Sequence, residues 1–185
     1  LDLDKFSLVS TAGNFRKKYK IGNKKIILHF GRINFVKGMD ILIDSFIKVS
    51  QVIDDVCLVI AGPDNDGYQS VVEKWIDVGG ITSKVIFTGM LNGDEAWNLL
   101  TDSDIFVLPS YSESFGIAVF EAMYFELPVI ISNKVKIYQE IQTANAGIVT
   151  SCNSIEVADA MIDLLNNNEE CKAMGVAGKN LVKDK

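Results

Sequence analysis

Short apolar runs alternate with longer amphipathic stretches over most of the chain. The short runs are typical of strands buried on both faces, because their residues are apolar without alternation. Gly, Pro, Asn and Asp cluster where most of these runs end, which predicts turns at those points. The predicted strands are 26–30, 56–61, 85–87, 105–108, 129–131 and 147–149.

The stretches between the strands repeat apolar residues at helical spacing. Strands that alternate with helices form right-handed βαβ units, so the pattern predicts an α/β fold. We expect a Rossmann-like, doubly wound parallel sheet of about six strands with helices on both faces. The predicted helices are 39–49, 68–78, 92–100, one from near Gly116 to before Pro128, 155–165 and 169–179.

The first 25 residues lack this periodicity. They are polar and lean towards basic residues after Phe6, so we interpret residues 1–25 as a segment that leads in from a preceding domain. Residues 26–185 then form one domain, which is an ordinary size for a single core. The chain begins at Leu1 rather than Met, which favours a piece of a longer protein.

Composition narrows the possible partners. The net charge is −6 and the pI is near 4.8, whereas binding to a nucleic-acid backbone favours a basic face. The three cysteines, Cys57, Cys152 and Cys171, share no metal-ligand spacing and favour a reducing compartment. The sequence shows no transmembrane run and no signal peptide. We therefore expect a cytoplasmic protein with no nucleic-acid partner.

The sequence lacks the common fingerprints of this fold class. No Gly-x-Gly-x-x-Gly follows the first strand, no P-loop motif is present, and no Gly-x-Ser-x-Gly elbow occurs. These absences leave dinucleotide cofactors, P-loop phosphotransfer and serine hydrolysis without support. In parallel sheets, ligands bind beyond the carboxyl ends of the strands, so we expect the ligand-binding residues in the loops there.

Two basic residues follow the first strand. Arg32 offers a rigid fork for phosphate oxygens and Lys37 adds a mobile charge, with Gly31 and Gly38 allowing close approach of the backbone. Such a pair can neutralise a diphosphate leaving group without a metal. The alternative is a solvated turn with two ordinary surface charges.

Two glutamates flank the loop after the fourth strand. Glu121 lies about one turn into the predicted helix, where the helix dipole should keep it ionised for binding vicinal hydroxyls. Glu113 lies in the loop and can accept hydrogen bonds from ligand hydroxyls. The backbone N–H groups of Ser114, Phe115 and Gly116 would face a phosphate at the helix N-terminus. The alternatives are a helix-surface charge and a solvated loop.

These motifs together resemble the C-terminal, donor-binding domain of a group 1, family 4-type retaining glycosyltransferase of the GT-B fold. The resemblance spans nearly the whole chain, from Leu3-Asp4-Lys5-Phe6 onwards. It rests on Gly31-Arg-Ile-Asn-Phe-Val-Lys37-Gly38, Phe87-Thr-Gly89, Ser103-Asp-Ile-Phe-Val-Leu-Pro-Ser110 and Glu113-Ser-Phe-Gly-Ile-Ala-Val-Phe-Glu121.

The resemblance implies a role for each matched residue. Arg32 and Lys37 would hold the donor diphosphate, Glu121 the nucleotide ribose, and Glu113 the hydroxyls of the transferred sugar. By the same resemblance, Arg32, Lys37 and Glu113 carry the catalytic role. The implied donor-nucleotide site comprises Gly31, Arg32, Lys37, Met90, Leu91, Ser114, Phe115, Gly116, Ile117 and Glu121.

The resemblance also implies the reaction. A UDP- or GDP-sugar is the substrate, no cofactor or metal takes part, and the acceptor is held by an N-terminal domain missing from this chain. Family members serve polysaccharide or glycolipid synthesis, and the missing domain offers peripheral attachment at the inner membrane face. A nucleotide-sugar epimerase of the same fold and a non-catalytic nucleotide-sugar-binding module are the alternatives.

The sequence departs from the family pattern in three places. Tyr124-Phe125-Glu126 replaces small residues and a glycine, and Val135-Lys136 replaces a pair of glycines near the donor sugar. The chain also ends before the family's closing helix. These departures bear on which sugar is transferred.

Three further features have competing interpretations. The triplets Asp2-Leu-Asp4, Asp64-Asn-Asp66 and Asp102-Ser-Asp104 match a metal-binding pattern, but the second favours a turn and the third precedes a strand. His29, the single histidine, favours a core position over catalysis. Tyr111, Phe115 and Tyr124 are predicted to line the pocket or the core.

Overall fold

The computed structural model describes residues 12–184, and its centre is one six-stranded sheet. Every neighbouring pair of strands is parallel, and the strand order is β3-β2-β1-β4-β5-β6. The Rossmann-like fold predicted from the sequence is therefore confirmed. The strands are β1 (Lys25–Phe30), β2 (Val56–Ala61), β3 (Val85–Gly89), β4 (Ile105–Leu108), β5 (Val129–Ser132) and β6 (Gly147–Thr150).

Helices follow each strand, as the alternating pattern predicted. Short 3-10 turns at Phe35–Lys37 and Thr82–Lys84 precede α2 and β3. The helices are α1 (Asn14–Lys18), α2 (Met39–Val52), α3 (Gln69–Val78), α4 (Asp94–Asp102), α5 (Ile117–Tyr124), α6 (Tyr138–Thr143), α7 (Ser154–Asn166) and α8 (Asn168–Lys183).

The sheet separates two hydrophobic cores. Successive side chains on a strand point to opposite faces, so Leu28 and Phe106 pack on the side of α1, α4, α5 and α6. Ile27 and Val107 pack on the other side, against α2, α3 and α7. Both faces are covered, which explains why the strands read as continuous apolar runs.

Two helices were not predicted from the sequence. In α6 only Ile141 is buried, so six residues give too little periodicity to detect. The other, α1, lies in the leading segment, where Phe15 is its one buried residue. Residues 12–25 lie against the domain, while the predicted connection at Leu3–Phe6 and the Asp2-Leu-Asp4 triplet lie outside the described residues.

The strand order reverses direction between β1 and β4. These two strands pair side by side, with Ile27 opposite Ile105 and Leu28 opposite Phe106. The chain runs outward from β1 to β3 on one side and from β4 to β6 on the other. The loops after β1 and β4 therefore diverge above the sheet and form a crevice, the usual position for a ligand in this fold.

Candidate functional site

Glycine contacts hold the loops of three strands close together. Gly62, after β2, has φ +149°, and a Cβ on it would lie 1.9 Å from the carbonyl oxygen of Gly31. The Gly31 N–H donates to the Ala61 carbonyl at 2.8 Å, and the Gly62 N–H donates to the Gly89 carbonyl at 2.9 Å. A side chain at position 62 would separate these loops, so glycine is required there.

A second glycine joins the loop of β1 to that of β4. Gly38 has φ +69°, and a Cβ on it would lie 2.2 Å from the Pro109 carbonyl oxygen. Close by, the Tyr111 N–H donates to the Val36 carbonyl at 2.9 Å. The two loops that border the crevice are thus fixed to each other through their backbones.

This junction brings Lys37 and Glu113 into an ion pair. The Lys37 ammonium contacts Glu113 Oε2, and each side chain is only 15% exposed. The two residues come from the loops after β1 and β4, which the strand order places side by side. The structure therefore unites one predicted diphosphate ligand with one predicted sugar ligand.

Backbone donors complete the surroundings of Glu113. Its Oε1 accepts hydrogen bonds from the Gly116 N–H at 3.2 Å and the Phe115 N–H at 3.4 Å. Burial acts to raise the pKa of Glu113, but the hydrogen bonds from Lys37 and these amides outweigh it and lower the pKa below its ordinary value. Glu113 is consequently an ionised carboxylate at the N-terminus of α5.

A cavity of about 220 Å³ opens beside the ion pair. It lies at the carboxyl edge of β1 and β4 and combines apolar walls with the two charged groups, as ligand sites commonly do. Six of the predicted site residues line it. Its lining consists of Phe30, Gly31, Lys37, Leu108, Glu113, Phe115, Gly116, Ile117 and Ala118.

The other predicted site residues lie outside this cavity lining. Arg32 and Ser114 are exposed, and no carboxylate among residues 12–184 pairs with Arg32. Met90 is 64% exposed, whereas Leu91 is buried and lines a separate cavity with Phe15. The sequence placed Met90 and Leu91 as a pair, but only Met90 is accessible at the carboxyl edge.

Glu121 does not show the lowered pKa that a helix dipole would produce. Burial raises the pKa of Glu121 above its ordinary value. Glu121 is the fifth residue of α5, counted from Ile117, and the dipole effect fades beyond the first turn. Its half-buried carboxyl group therefore experiences desolvation more strongly than the helix dipole.

Sequence reasoning did not identify Val135 and Asp40 as supports of the site. Val135 forms a parallel bridge with Glu113, whose N–H donates to the Lys134 carbonyl at 3.2 Å. Asp40 Oδ2 accepts the Tyr111 hydroxyl at 2.7 Å, which raises the pKa of Tyr111 to about 12. The motif comparison marked Val135 only as a departure from a glycine pair and did not mark Asp40, because both contacts depend on tertiary proximity.

The aromatic residues occupy different surroundings. Phe115 lines the cavity and is 76% exposed, while Tyr111 stacks on Phe35 with ring centroids 5.0 Å apart. Tyr124 packs edge-on against Phe125, and Lys179 lies over the Tyr124 ring. Of these three residues, Phe115 alone lines the cavity, while Tyr124 packs against the hydrophobic core, the other position predicted.

His29 is a core residue. It is buried, its Nδ1 donates to the Val107 carbonyl at 3.3 Å, and burial lowers its pKa to about 4. It is therefore neutral at physiological pH, as the core interpretation predicted.

Within residues 12–184, no group of three or more His, Cys, Asp or Glu side chains could hold a metal ion. Asp64 Oδ1 instead accepts the Tyr68 N–H at 2.8 Å, in keeping with a turn. No helix in the same range has both the length and the apolar character needed to cross a bilayer.

Known proteins with similar sequences are glycosyltransferases. The chain is 29% identical to a GDP-mannose-dependent α-(1-6)-phosphatidylinositol monomannoside mannosyltransferase of Mycobacterium tuberculosis, over 98% of this chain and 49% of that protein. It is also 29% identical to the α-D-kanosaminyltransferase of Streptomyces kanamyceticus, over 83% of this chain and 40% of that protein. The chain thus spans about half the length of such relatives or less.

Solved structures share the fold of this chain, and a sequence-family match shows which protein family the chain belongs to. The C-terminal domain of a Francisella tularensis group 1 glycosyl transferase superposes with a TM-score of 0.87 at 24% identity, covering 100% of this chain and 97% of that one. Anabaena HepE in complex with UDP-glucose gives 0.89 at 20% identity, covering 100% and 51%. The family described as glycosyl transferases group 1 matches residues 12–181. The chain therefore belongs to the group 1 glycosyltransferases and has the Rossmann-like fold of a GT-B domain.

Proposed function

We propose that this chain is the donor half of a retaining, metal-independent glycosyltransferase. It binds a nucleotide-diphosphate sugar, and a preceding domain of the full-length protein supplies the acceptor. Relatives are named for GDP-mannose, and HepE is solved with UDP-glucose, so UDP- and GDP-sugars are the donors to test first.

One observation carries this proposal: Lys37 and Glu113 meet in a cavity at the crevice between β1 and β4. A lysine, two helix N-terminal amides and a carboxylate provide donors for phosphate oxygens and an acceptor for sugar hydroxyls. Gly31 forms part of the same wall, so the ligand can approach the backbone closely.

The proposed chemistry is electrostatic. Arg32 and Lys37 stabilise the negative charge that develops on the diphosphate as the glycosidic bond breaks. Glu113 orients the transferred sugar through its hydroxyls, and Glu121 accepts hydroxyls of the ribose. The exposed Arg32 has no carboxylate partner within residues 12–184, so its guanidinium is available to the donor.

The epimerase alternative needs an acid and a base on either side of the sugar. Among the residues that line the cavity, Lys37 and Glu113 are the titratable side chains, and they are bound to each other. This arrangement favours transfer over epimerisation. A pure binding module has no need of Glu113, which favours transfer again.

Titration of the chain with UDP, GDP and ADP tests the proposal. We expect weak binding of at least one nucleotide by calorimetry, loss of that binding in Arg32→Ala, and no sugar transfer by the chain alone. Lys172→Ala, on the exposed surface of α8, serves as the control and should bind as the wild type does. Failure of all three nucleotides to bind would remove the site assignment.

A further inference from the structure

We propose that residues 16–25 form an electrostatic docking surface for an anionic lipid membrane. This inference goes beyond the proposed function, because the segment lies at the amino edge of the sheet and the candidate site lies at the carboxyl edge. It assigns a membrane contact to this chain itself, whereas the sequence suggested such a contact only through a preceding domain.

Residues 16–25 concentrate positive charge in an acidic chain. They hold six of its 18 basic residues and none of its 24 acidic ones, which leaves the rest of the chain with a net charge of −12. Five of the six are lysines, whose mobile point charges suit a diffuse negative surface better than a shaped anion. Clusters of about four to eight basic residues are typical of surfaces that bind anionic lipid.

Arg16 holds the segment in a fixed turn. Its Nη1 donates to the carbonyls of Gly22 and Lys24 at 3.2 and 2.6 Å, and its Nη2 donates to Asp104 Oδ2 at 2.9 Å. Because β1 begins at Lys25 and β4 begins directly after Asp104, this turn lies at the amino edge of the sheet. Arg16 therefore has a structural role, which leaves the lysines as the charges available to a partner.

Three lysines of the segment carry its unpaired charge. The other two pair with carboxylates of the chain, namely Glu95 and Asp104. Among residues 12–184, no carboxylate pairs with Lys17, Lys20 or Lys24. Lys17 and Lys20 are exposed and Lys24 is half-buried, so their ammonium groups form the positive part of the docking surface.

Lys20 occupies a backbone conformation that favours glycine. Its φ is +55°, which is strained for a residue with a side chain. It directly follows Tyr19, the C-cap of α1, at a position where helices commonly have glycine. Gly22, in the same turn, has φ +66° without such strain. A lysine that persists in a strained position indicates a use for its charge outside the fold.

The docking surface lacks the features that a protein or a nucleic acid needs in a partner. Its large apolar side chains, Phe15 and Ile21, are buried, whereas protein interfaces depend on exposed apolar anchors. Tyr19 stacks on Phe15 with ring centroids 4.4 Å apart, so it gives bases no free stacking platform. An anionic membrane needs neither feature, because its surface potential attracts lysines directly.

Co-sedimentation with lipid vesicles tests the proposal. We expect the chain to bind vesicles of equal parts of phosphatidylcholine and phosphatidylglycerol, and not vesicles of phosphatidylcholine alone. A lysine near an anionic surface contributes about fivefold to the partition coefficient, so the triple variant Lys17→Gln/Lys20→Gln/Lys24→Gln should lower it roughly 100-fold. Salt should weaken the binding, because the Debye length shortens from about 10 Å at 0.1 M to about 3 Å at 1 M.

The matched control is Lys74→Gln/Lys134→Gln/Lys136→Gln. It removes the same charge from exposed lysines of α3 and of the loop after β5, and it should bind vesicles as the wild type does. An equal loss of vesicle binding in both triple variants would overturn the docking surface, because net charge alone would then explain it.

Other ligands separate this proposal from its alternatives and from the proposed function. Equal binding to both kinds of vesicle, or binding of RNA or polyglutamate without binding of anionic vesicles, would overturn the membrane assignment. UDP and GDP should leave vesicle binding unchanged, since lipid and nucleotide use opposite edges of the sheet. If vesicles bind while UDP, GDP and ADP all fail to bind, the proposed donor site is wrong and the docking surface stands.

Discussion

Burial sets the protonation of His29 at the scale of a single residue. Its ring lies in β1 with no exposed surface, and its Nε2 has no hydrogen-bond partner among the described residues. Burial lowers its pKa from 6.5 to about 4, helped by the Lys37 charge and opposed by the Val107 carbonyl. The folded state therefore resists protonation of a group that the unfolded chain protonates readily.

We expect the free energy of unfolding to fall between pH 6.5 and pH 4. In that window the unfolded state binds a proton at His29 and the folded state does not, so acid favours unfolding. The shift corresponds to a loss of about 3 kcal/mol that is complete near pH 4. Urea unfolding at a series of pH values measures it.

The control for this prediction is His29→Gln. The chain has one histidine, so the carboxylates titrate alike in both proteins and their difference isolates His29. We expect the variant to lack the extra pH dependence of the wild type. Parallel stability curves in this pH range would contradict the prediction.

Glu113 and Glu121 show why motif spacing does not determine ionisation. Both belong to the Glu-x7-Glu motif of the family, yet the pKa of Glu113 is lowered and that of Glu121 is raised. Lys37 and two amides compensate for the burial of Glu113, whereas burial alone acts on Glu121. The sequence predicted the two positions, and tertiary contacts decided the direction in which each pKa shifts.

Helix α8 shows how glycine permits close packing at the scale of an element. A Cβ on Gly175 would lie 2.0 Å from the Glu126 carbonyl oxygen, which belongs to the turn after α5. A Cβ on Gly178 would instead lie 3.0 Å from Cγ of the Met123 side chain. Glycine is unfavourable within helices, so its presence at position 175 reflects this backbone contact.

We expect Gly175→Ala to lower the free energy of unfolding by about 2–3 kcal/mol or more, because the backbone of the turn cannot move aside as a side chain can. Gly178→Ala is the matched control in the same helix. There the flexible Met123 can yield and the gain in helix propensity is about 1 kcal/mol, so we expect a small net change.

Thermal or urea unfolding of both variants measures the difference. Equal destabilisation of the two would show that the turn yields as easily as Met123. The turn has little freedom to do so, since Glu126 has φ +60°, an unfavourable conformation for a residue with a side chain.

Strands and helices with a strong apolar pattern were predicted from the sequence. The shifted ends and the two missed helices have identifiable physical reasons. The predicted ranges of β2 and β4 match the structure, because each is a continuous buried run between turns. The other strands and six helices were predicted with shifted ends, as fraying ends carry little signal. The unpredicted α1 and α6 each bury one residue, so neither has a periodic face to detect.

At the scale of the whole molecule, one carboxylate connects the leading residues to helix α4. Asp102, buried at the end of α4, accepts hydrogen bonds from the N–H groups of Gly13, Phe15 and Arg16 at 2.5, 2.8 and 3.0 Å. Arg16 also bonds to the Asp104 side chain at 2.9 Å. The Asp102-Ser103-Asp104 triplet is therefore a structural clamp.

We expect Asp102→Asn to lower the free energy of unfolding by about 2–3 kcal/mol, because an amide turns an N–H₂ group towards backbone donors and leaves them unsatisfied. Asp94→Asn, exposed at the other end of α4, should cost only about 0.3–1 kcal/mol from the helix dipole. Urea unfolding compares the two. A similar loss of unfolding free energy in both variants would contradict the structural role of Asp102.

The candidate site shows which functional features could be predicted from the sequence and which could not. The loops after β1 and β4 could be predicted, because the carboxyl edge of a parallel sheet collects the ligand-binding residues. The pairing of Lys37 with Glu113 could not, since it joins residues 76 positions apart. The family resemblance placed Leu91 in the donor-nucleotide site, but its apolar side chain packs into the α1–α4 side of the core.

The pairing of β1 with β4 also has a consequence for the order of folding. Sequence neighbours build the β1–β3 half and the β4–β6 half, whereas Ile27 and Ile105, which join them, lie 78 positions apart. Distant pairings close large loops and form slowly, so we expect the two halves to dock late. The Lys37–Glu113 cavity spans that seam, so a nascent chain should acquire nucleotide affinity only at the final docking step.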